Sequence, residues 1–185
     1  MPGFKSIGKR KTEMTVTIDC RMIDESGVGV YLRGCLPYFT NCENDFLLLG
    51  SAEKLRGFAS GPNVKVLDCT AKPFSPGEML FFPGGIKKAI NKTDVYYSPF
   101  FNVPPGIKVP VFTTIHDIIF PDMPEITSKA GLFVRMRFFR RAYRKSRGIF
   151  TVSEFSKSRI EYHLGNGKEI IVANSALRQM FLDTA

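Results

Sequence analysis

The chain predicts an α/β domain built on a mostly parallel central sheet with helices on both faces, and three observations carry that prediction. Short apolar, β-branched runs alternate with helix-compatible stretches from Met14 onward. Strands buried on both faces of a parallel sheet have this apolar character. Two of the runs, Val109–Ile115 and Gly148–Val152, stop abruptly at polar residues, His116-Asp117 and Ser153. An open α/β sheet builds its ligand site where strands end in this way.

The bulk numbers bound the class. A length of 185 residues suits one well-buried domain, and 44% hydrophobic with 23% charged residues is ordinary globular composition. The four cysteines, Cys20, Cys35, Cys42 and Cys69, form no CxxC pair and have no histidine at ligand spacing, which argues for reduced thiols and against a zinc site. The chain shows no secretory apolar region, so it reads as cytoplasmic. No apolar stretch approaches the roughly 20 residues that span a bilayer. A net charge of +9 favours an anionic partner without choosing among nucleotide, lipid surface and nucleic acid.

Residues 1–13 are polar and basic and read as an extension, and the folded domain is expected over 14–185. The run TVTID is the first strand, and Val28–Phe39 has helical spacing that is expected to end near Pro37. Phe46–Gly50 is the second strand. Val64–Leu67 is the third, after the turn residues Gly61-Pro62-Asn63. Ser75-Pro76-Gly77-Glu78 has the form of an N-cap, a first-turn proline and a capping-box acid, and opens a helix toward Asn91 with a possible interruption at Gly84-Gly85. Asp94–Ser98 is a strand closed by Pro99. A proline-rich loop, Asn102–Lys108, leads to the strand Val109–Ile115. A long helix follows from about Thr127 to Arg147 with Ser128 as its cap, then the strand Gly148–Val152. Ser153–Leu164 is a helix stopped by Gly165-Asn166-Gly167, and Glu169–Ala173 is the last strand. The final SALRQMFLDTA has the pattern of another helix beginning.

Several residues can carry chemistry. Gly27-Val28-Gly29 stands where a helix begins, and its backbone N–H groups can meet an anion there with help from the helix dipole. The spacing is neither GxGxxG nor a P-loop, and the two glycines can equally belong to a plain turn. His116, at a strand end, can exchange a proton with a bound hydroxyl or phosphate near neutral pH; His116 and Asp117 can also be a structural pair. Asp122 is the nearest further carboxylate, but Pro121 separates the segments, and no metal is expected. Ser153 and Lys157 lie at a helix N-terminus, where capping is the better-supported role for Ser153. No GxSxG elbow accompanies it, which disfavours hydrolase chemistry. The helix GLFVRMRFFRRAYRKSR places Leu132, Met136, Phe139 and Tyr143 on one face and Arg137, Arg140, Arg141 and Arg144 on the other. That basic face fits either solvent or anionic lipid headgroups. No RNP-like or zinc-finger motif supports nucleic acid.

Four blocks, IDCRMIDESGVGVYLRGCLP, DVYYSPFFNVPP, VFTTIHDIIF and FTVSEFSKSRI, together closely resemble the amino-terminal half of family-4 glycosyltransferases with the GT-B fold. The resemblance runs from about Met14 to the end. It implies a Rossmann-like three-layer sandwich, one half of a GT-B fold, that forms the acceptor side of a cleft. A carboxyl-terminal domain, absent here, would hold most of the nucleotide-sugar donor, so this chain alone would be inactive.

Carried over by residue, Gly27, Val28 and Gly29 would lie near the donor diphosphate, in a loop that reads SGVGVY where many relatives have a GG pair. His116 and Asp117 would be the catalytic residues, with His116 near the transferred sugar. Ser98, Ser153 and Lys157 would line the cleft. Such enzymes transfer sugar with retention and without a metal or other cofactor, the leaving phosphate helping to deprotonate the acceptor. The implied acceptor is a saccharide or a lipid-linked sugar in polysaccharide or glycan biosynthesis, and Arg137, Arg140, Arg141 and Arg144 would meet the inner membrane face. The competing class is a non-catalytic Rossmann-like module that binds an anionic ligand or a protein partner.

Overall fold

A computed structural model of the protein describes residues 14–40 and 42–173. The expected extension at 1–13 and the expected helix in SALRQMFLDTA lie outside the described residues. One seven-stranded sheet runs through the molecule in the order β3-β2-β1-β4-β5-β6-β7. Its strands are β1 (Thr15–Asp19), β2 (Asp45–Gly50), β3 (Val64–Asp68), β4 (Val95–Ser98), β5 (Val111–Thr114), β6 (Ser146–Thr151) and β7 (Ile170–Val172). Every neighbouring pair is parallel. The helices are α1 (Ser26–Thr40), α2 (Ala52–Leu55), α3 (Pro76–Phe81), α4 (Gly84–Ile90), α5 (Ile119–Asp122), α6 (Lys129–Lys145) and α7 (Glu154–Leu164).

Both faces of the sheet are covered, as its apolar strands require. Adjacent residues of one strand point to opposite sides: Leu48 packs with Leu32, Leu36 and Leu55, whereas Leu49 packs with Phe82, Ile90 and Ala142. Tyr97 and Tyr96 divide between the same two layers. Thus α1 and α2 lie on one face, and α4 and α6 on the other, where Met136, Phe139 and Tyr143 of α6 also meet Ile160 of α7. The strand order reverses between β1 and β4, and the helices change faces there. Their carboxyl ends open the crevice in which open α/β sheets bind ligands.

Local sequence explains the caps. The Ser75, Ser128 and Ser153 hydroxyls accept from Glu78 N–H, Gly131 N–H and Ser156 N–H, each satisfying a helical donor that would otherwise lack a partner. Three of the boundary shifts involve a proline. Helix α1 continues through Pro37 to Thr40, because buried Leu36 and half-buried Phe39 anchor the turn on either side of it while Pro37 itself is exposed. The helix after Ser75 breaks at Phe82-Pro83, and Gly84-Gly85 opens the next helix instead of interrupting one; Pro83 cannot continue a helix but is tolerated at the start of one. Strand β5 begins only at Val111, after Pro110, since a proline cannot donate to the ladder. The short α2 and α5 have four residues each, too few to show a helical period in sequence.

Candidate active site

The carboxyl edge of the sheet gathers the candidate residues. His116 stands two residues beyond β5, half-buried, with its Nε2 2.9 Å from the Pro99 carbonyl just beyond β4. A carbonyl oxygen can only accept, so Nε2 carries the proton and Nδ1 is left as an acceptor. Burial holds the imidazole below its ordinary pKa of 6.5, against upward pulls from the Pro99 carbonyl and the Asp117 carboxylate. His116 is therefore a neutral ring near pH 7. Tyr31, from the first half of α1, sets its ring edge-on against it, with centroids 4.9 Å apart. The Tyr31 hydroxyl continues to Tyr97 at 3.0 Å, and Tyr97 to Thr114 at 2.7 Å. A hydrogen-bonded chain thus ties α1, β4 and β5 beneath the histidine.

The other expected residues separate into distinct places. Asp117 is exposed and reaches toward the Ile119 N–H at 3.4 Å; the hydrogen bond of His116 goes to Pro99. Gly27 is exposed with open space around it, whereas Gly29 is buried where an added Cβ would meet the Ile23 carbonyl. Gly29 is thus required by its own loop, and Gly27 is the one free to approach a ligand. Ser153 caps α7, and Lys157 is half-buried in its first turn. Ser98 corrects the expected cleft wall: it is fully buried, and its hydroxyl lies 2.7 Å from the Phe100 carbonyl and 2.8 Å from that of Asn102. The side chain closes a turn.

Asp122 is engaged by Arg159, which donates to both carboxylate oxygens, and by His163 Nε2 at 2.6 Å. This cluster joins α5 to α7 on the surface. No group of three metal-ligating side chains comes together among the described residues, and the four cysteines are free thiols.

A buried ionic cluster beneath the carboxyl edge has no counterpart in the sequence reading. Asp19 ends β1, and Arg21 folds back on it with Nε–Oδ1 and Nη2–Oδ2 distances of 2.9 and 2.6 Å. The Arg21 Nη1 reaches Glu78 Oε1 at 2.6 Å, and the side chains of all three are at most 2% exposed. Tyr96 donates to Asp19 Oδ2 at 2.6 Å. Burial lowers the Arg21 pKa, but Asp19, with Tyr96 and Glu78, outweighs it and the net shift is upward. Arg21 remains charged. The capping-box pattern found Glu78, but only its cap role was legible.

The basic helix α6 also divides. Arg137, Arg140 and Arg144 are exposed. Arg141 differs from the other three: it is half-buried and its Nε donates to the Val103 carbonyl at 2.9 Å, although it too lines the groove beside α6. Burial, then the neighbouring Arg144 charge, lowers its pKa. Across the outer face of α6 runs a groove of about 790 Å³, lined by Phe133, Val134, Arg137, Arg140, Arg144 and Met79, among others. No described helix is long and apolar enough to cross a membrane.

No protein-family model matches the chain, and no curated protein matches it in sequence. Solved structures do. HepE from Anabaena in complex with UDP and glucose superimposes with a TM-score of 0.58 at 16% identity, over 89% of this chain and 45% of that one. HepE in complex with UDP gives 0.55 at 16% identity, over 89% and 44%. The chain spans less than half the length of these structures, and at such identity the likeness establishes a shared Rossmann-like α/β fold.

Proposed function

We propose that this chain is the acceptor-side domain of a retaining, nucleotide-sugar-dependent glycosyltransferase whose carboxyl-terminal domain holds most of the donor. The observation that carries the reading is the placement of His116: a neutral, half-buried imidazole at the carboxyl edge, oriented by the Pro99 carbonyl and Tyr31. Its fold is shared with a protein that holds UDP and glucose. His116 accepts a hydrogen bond from a sugar hydroxyl through Nδ1. Gly27 offers open backbone toward the donor phosphates at the start of α1. Front-side transfer asks the protein for positioning and charge stabilisation in place of a covalent nucleophile. The acceptor is a saccharide or lipid-linked sugar of cell-surface glycan synthesis.

The groove on α6 supports a peripheral place at an anionic membrane. Phe133 and Val134 are 61% and 50% exposed beside Arg137, Arg140 and Arg144, and Leu80 and Phe81, following Met79 in α3, are 73% and 78% exposed. Apolar side chains beside arginines match a lipid surface with acidic headgroups. Replacing the three arginines with Gln should abolish flotation with vesicles rich in phosphatidylglycerol; unchanged flotation would remove the membrane from the proposal.

The central test uses the complete protein with UDP- and GDP-sugars. His116→Ala should cut transfer strongly while the folded state stays intact, and titration of this chain alone with UDP or GDP should show weak binding. Near-normal turnover of the variant would overturn the role of His116. Tight nucleotide binding by this chain alone would point instead to a self-sufficient binding module.

A further inference from the structure

Pro99, whose carbonyl orients His116, sits in a turn closed at both ends. The Ser98 hydroxyl lies within hydrogen-bond distance of the Phe100 and Asn102 carbonyls, and the Asn102 N–H donates to the Phe100 carbonyl at 2.8 Å. The far end of this turn is anchored inside the protein. Fully buried Asn102 donates through Nδ2 to Glu78 Oε2 at 2.8 Å and Oε1 at 3.0 Å. Glu78 is itself held by Arg21 Nη1 at 2.6 Å and by the Phe74 N–H at 2.8 Å. Among the described residues the Asn102 Oδ1 has no hydrogen-bond partner, and the side chain is held through its donor end.

We propose that Asn102, anchored on Glu78, is a positioning residue for His116: it holds the Ser98–Asn102 turn so that the Pro99 carbonyl accepts the hydrogen bond from Nε2–H and Nδ1 faces a substrate hydroxyl as an acceptor. This rests on the glycosyltransferase reading for its substrate, but the positioning itself is a property of the folded chain. The Asn102 side chain never touches substrate. It acts through three links: amide to carboxylate, turn to carbonyl, carbonyl to imidazole. An imidazole with Nε2 free of this carbonyl would populate both tautomers and present a donor to the hydroxyl part of the time.

The chain contains two histidines, His116 and His163, so ring ¹⁵N spectra of this chain identify the His116 tautomer once His163→Gln removes the other signal. In the wild-type background His116 should be a single Nε2–H tautomer. Asn102→Ala should bring its two ring nitrogens toward exchange-averaged shifts, and Ser98→Ala, a milder change in the same turn, should do so in part. In the complete protein both variants should lower kcat, by up to roughly a hundredfold, the scale of a small misplacement of a reacting group. If Asn102→Ala fails to fold, Ser98→Ala carries the test. An unaltered Nε2–H tautomer in the folded variants, or an Nδ1–H tautomer in the wild type, would overturn the proposal. Absence of transferase activity from the complete protein, with the tautomer change still seen, would overturn the glycosyltransferase reading and leave the positioning role standing.

Discussion

Arg21→Met removes the cation shared by two buried carboxylates and leaves Asp19 and Glu78 without that partner. The structure sets the scale. The guanidinium is 2% exposed, makes a two-pronged contact with Asp19, reaches Glu78 and the Ala71 carbonyl, and lies 5.3 Å from the centre of the Phe82 ring. Breaking a buried pair by removing one partner costs about 3–5 kcal/mol, mostly from the charge left behind. At about 2–4 °C per kcal/mol for a chain of this size, the melting temperature should fall by roughly 6–20 °C. Arg21→Lys keeps the charge but loses the planar fork that meets Asp19 with two bonds, and should fall between wild type and the Met variant. Urea denaturation followed by circular dichroism reads both differences. A loss below about 1 kcal/mol for Arg21→Met, the range of exposed ion pairs, would refute the reasoning, because the carboxylates would then be solvated. As a surface control, Lys54→Met, which removes an exposed bridge to Asp24, should leave the melting temperature unchanged.

Gly29→Ala would press a Cβ onto the Ile23 carbonyl oxygen and should destabilise by about 1–3 kcal/mol, as overpacking does; Gly27→Ala, in open space, should be tolerated, and thermal melts of the pair separate loop packing from ligand approach. Phe139→Ala removes a fully buried ring stacked on Phe101 at 3.9 Å and should cost about 3–5 kcal/mol by chemical denaturation. Hydrogen bonds from Arg159, then His163, lower the Asp122 pKa from 3.8 to about 2. A depressed carboxylate stabilises the fold above its unfolded pKa and loses that contribution as pH falls through the folded one. The stability gap between wild type and Asp122→Asn should therefore close between about pH 4 and pH 2; a gap constant over that window would show that the ion pair contributes nothing.

Much of the fold was legible because its signals are local. The three serine caps, the apolar stripe of α6 at Met136, Phe139 and Tyr143, and the end of β4 at Ser98 all follow from neighbours within a few positions in the chain. One misread boundary has a tertiary cause. Pro37 is carried inside a helix by packing at Leu36 and Phe39, and tertiary contacts override a local propensity. The position of His116 just beyond a β-branched strand was legible, but its partner was not: the adjacent Asp117 was the sequence candidate, whereas the hydrogen bond goes to Pro99, 17 positions away. Ser98 and Arg141 look like surface residues in sequence, and each is instead occupied with backbone carbonyls of the loop between β4 and β5.

The sequence by itself determined the α/β class, the succession of most elements and the concentration of polar residues at strand ends, because apolar periodicity, caps and turn residues act within one or two helical turns. Only the tertiary structure decided that every strand is parallel, that the order reverses between β1 and β4, and that Asp19, Arg21, Glu78, Tyr96 and Asn102 share one buried cluster. Tyr96 lies 77 positions from Asp19 and Asn102 lies 24 from Glu78. Contacts of that span depend on strand order and on the loss of water around the buried charges, and neither is encoded in the spacing of residues along the chain.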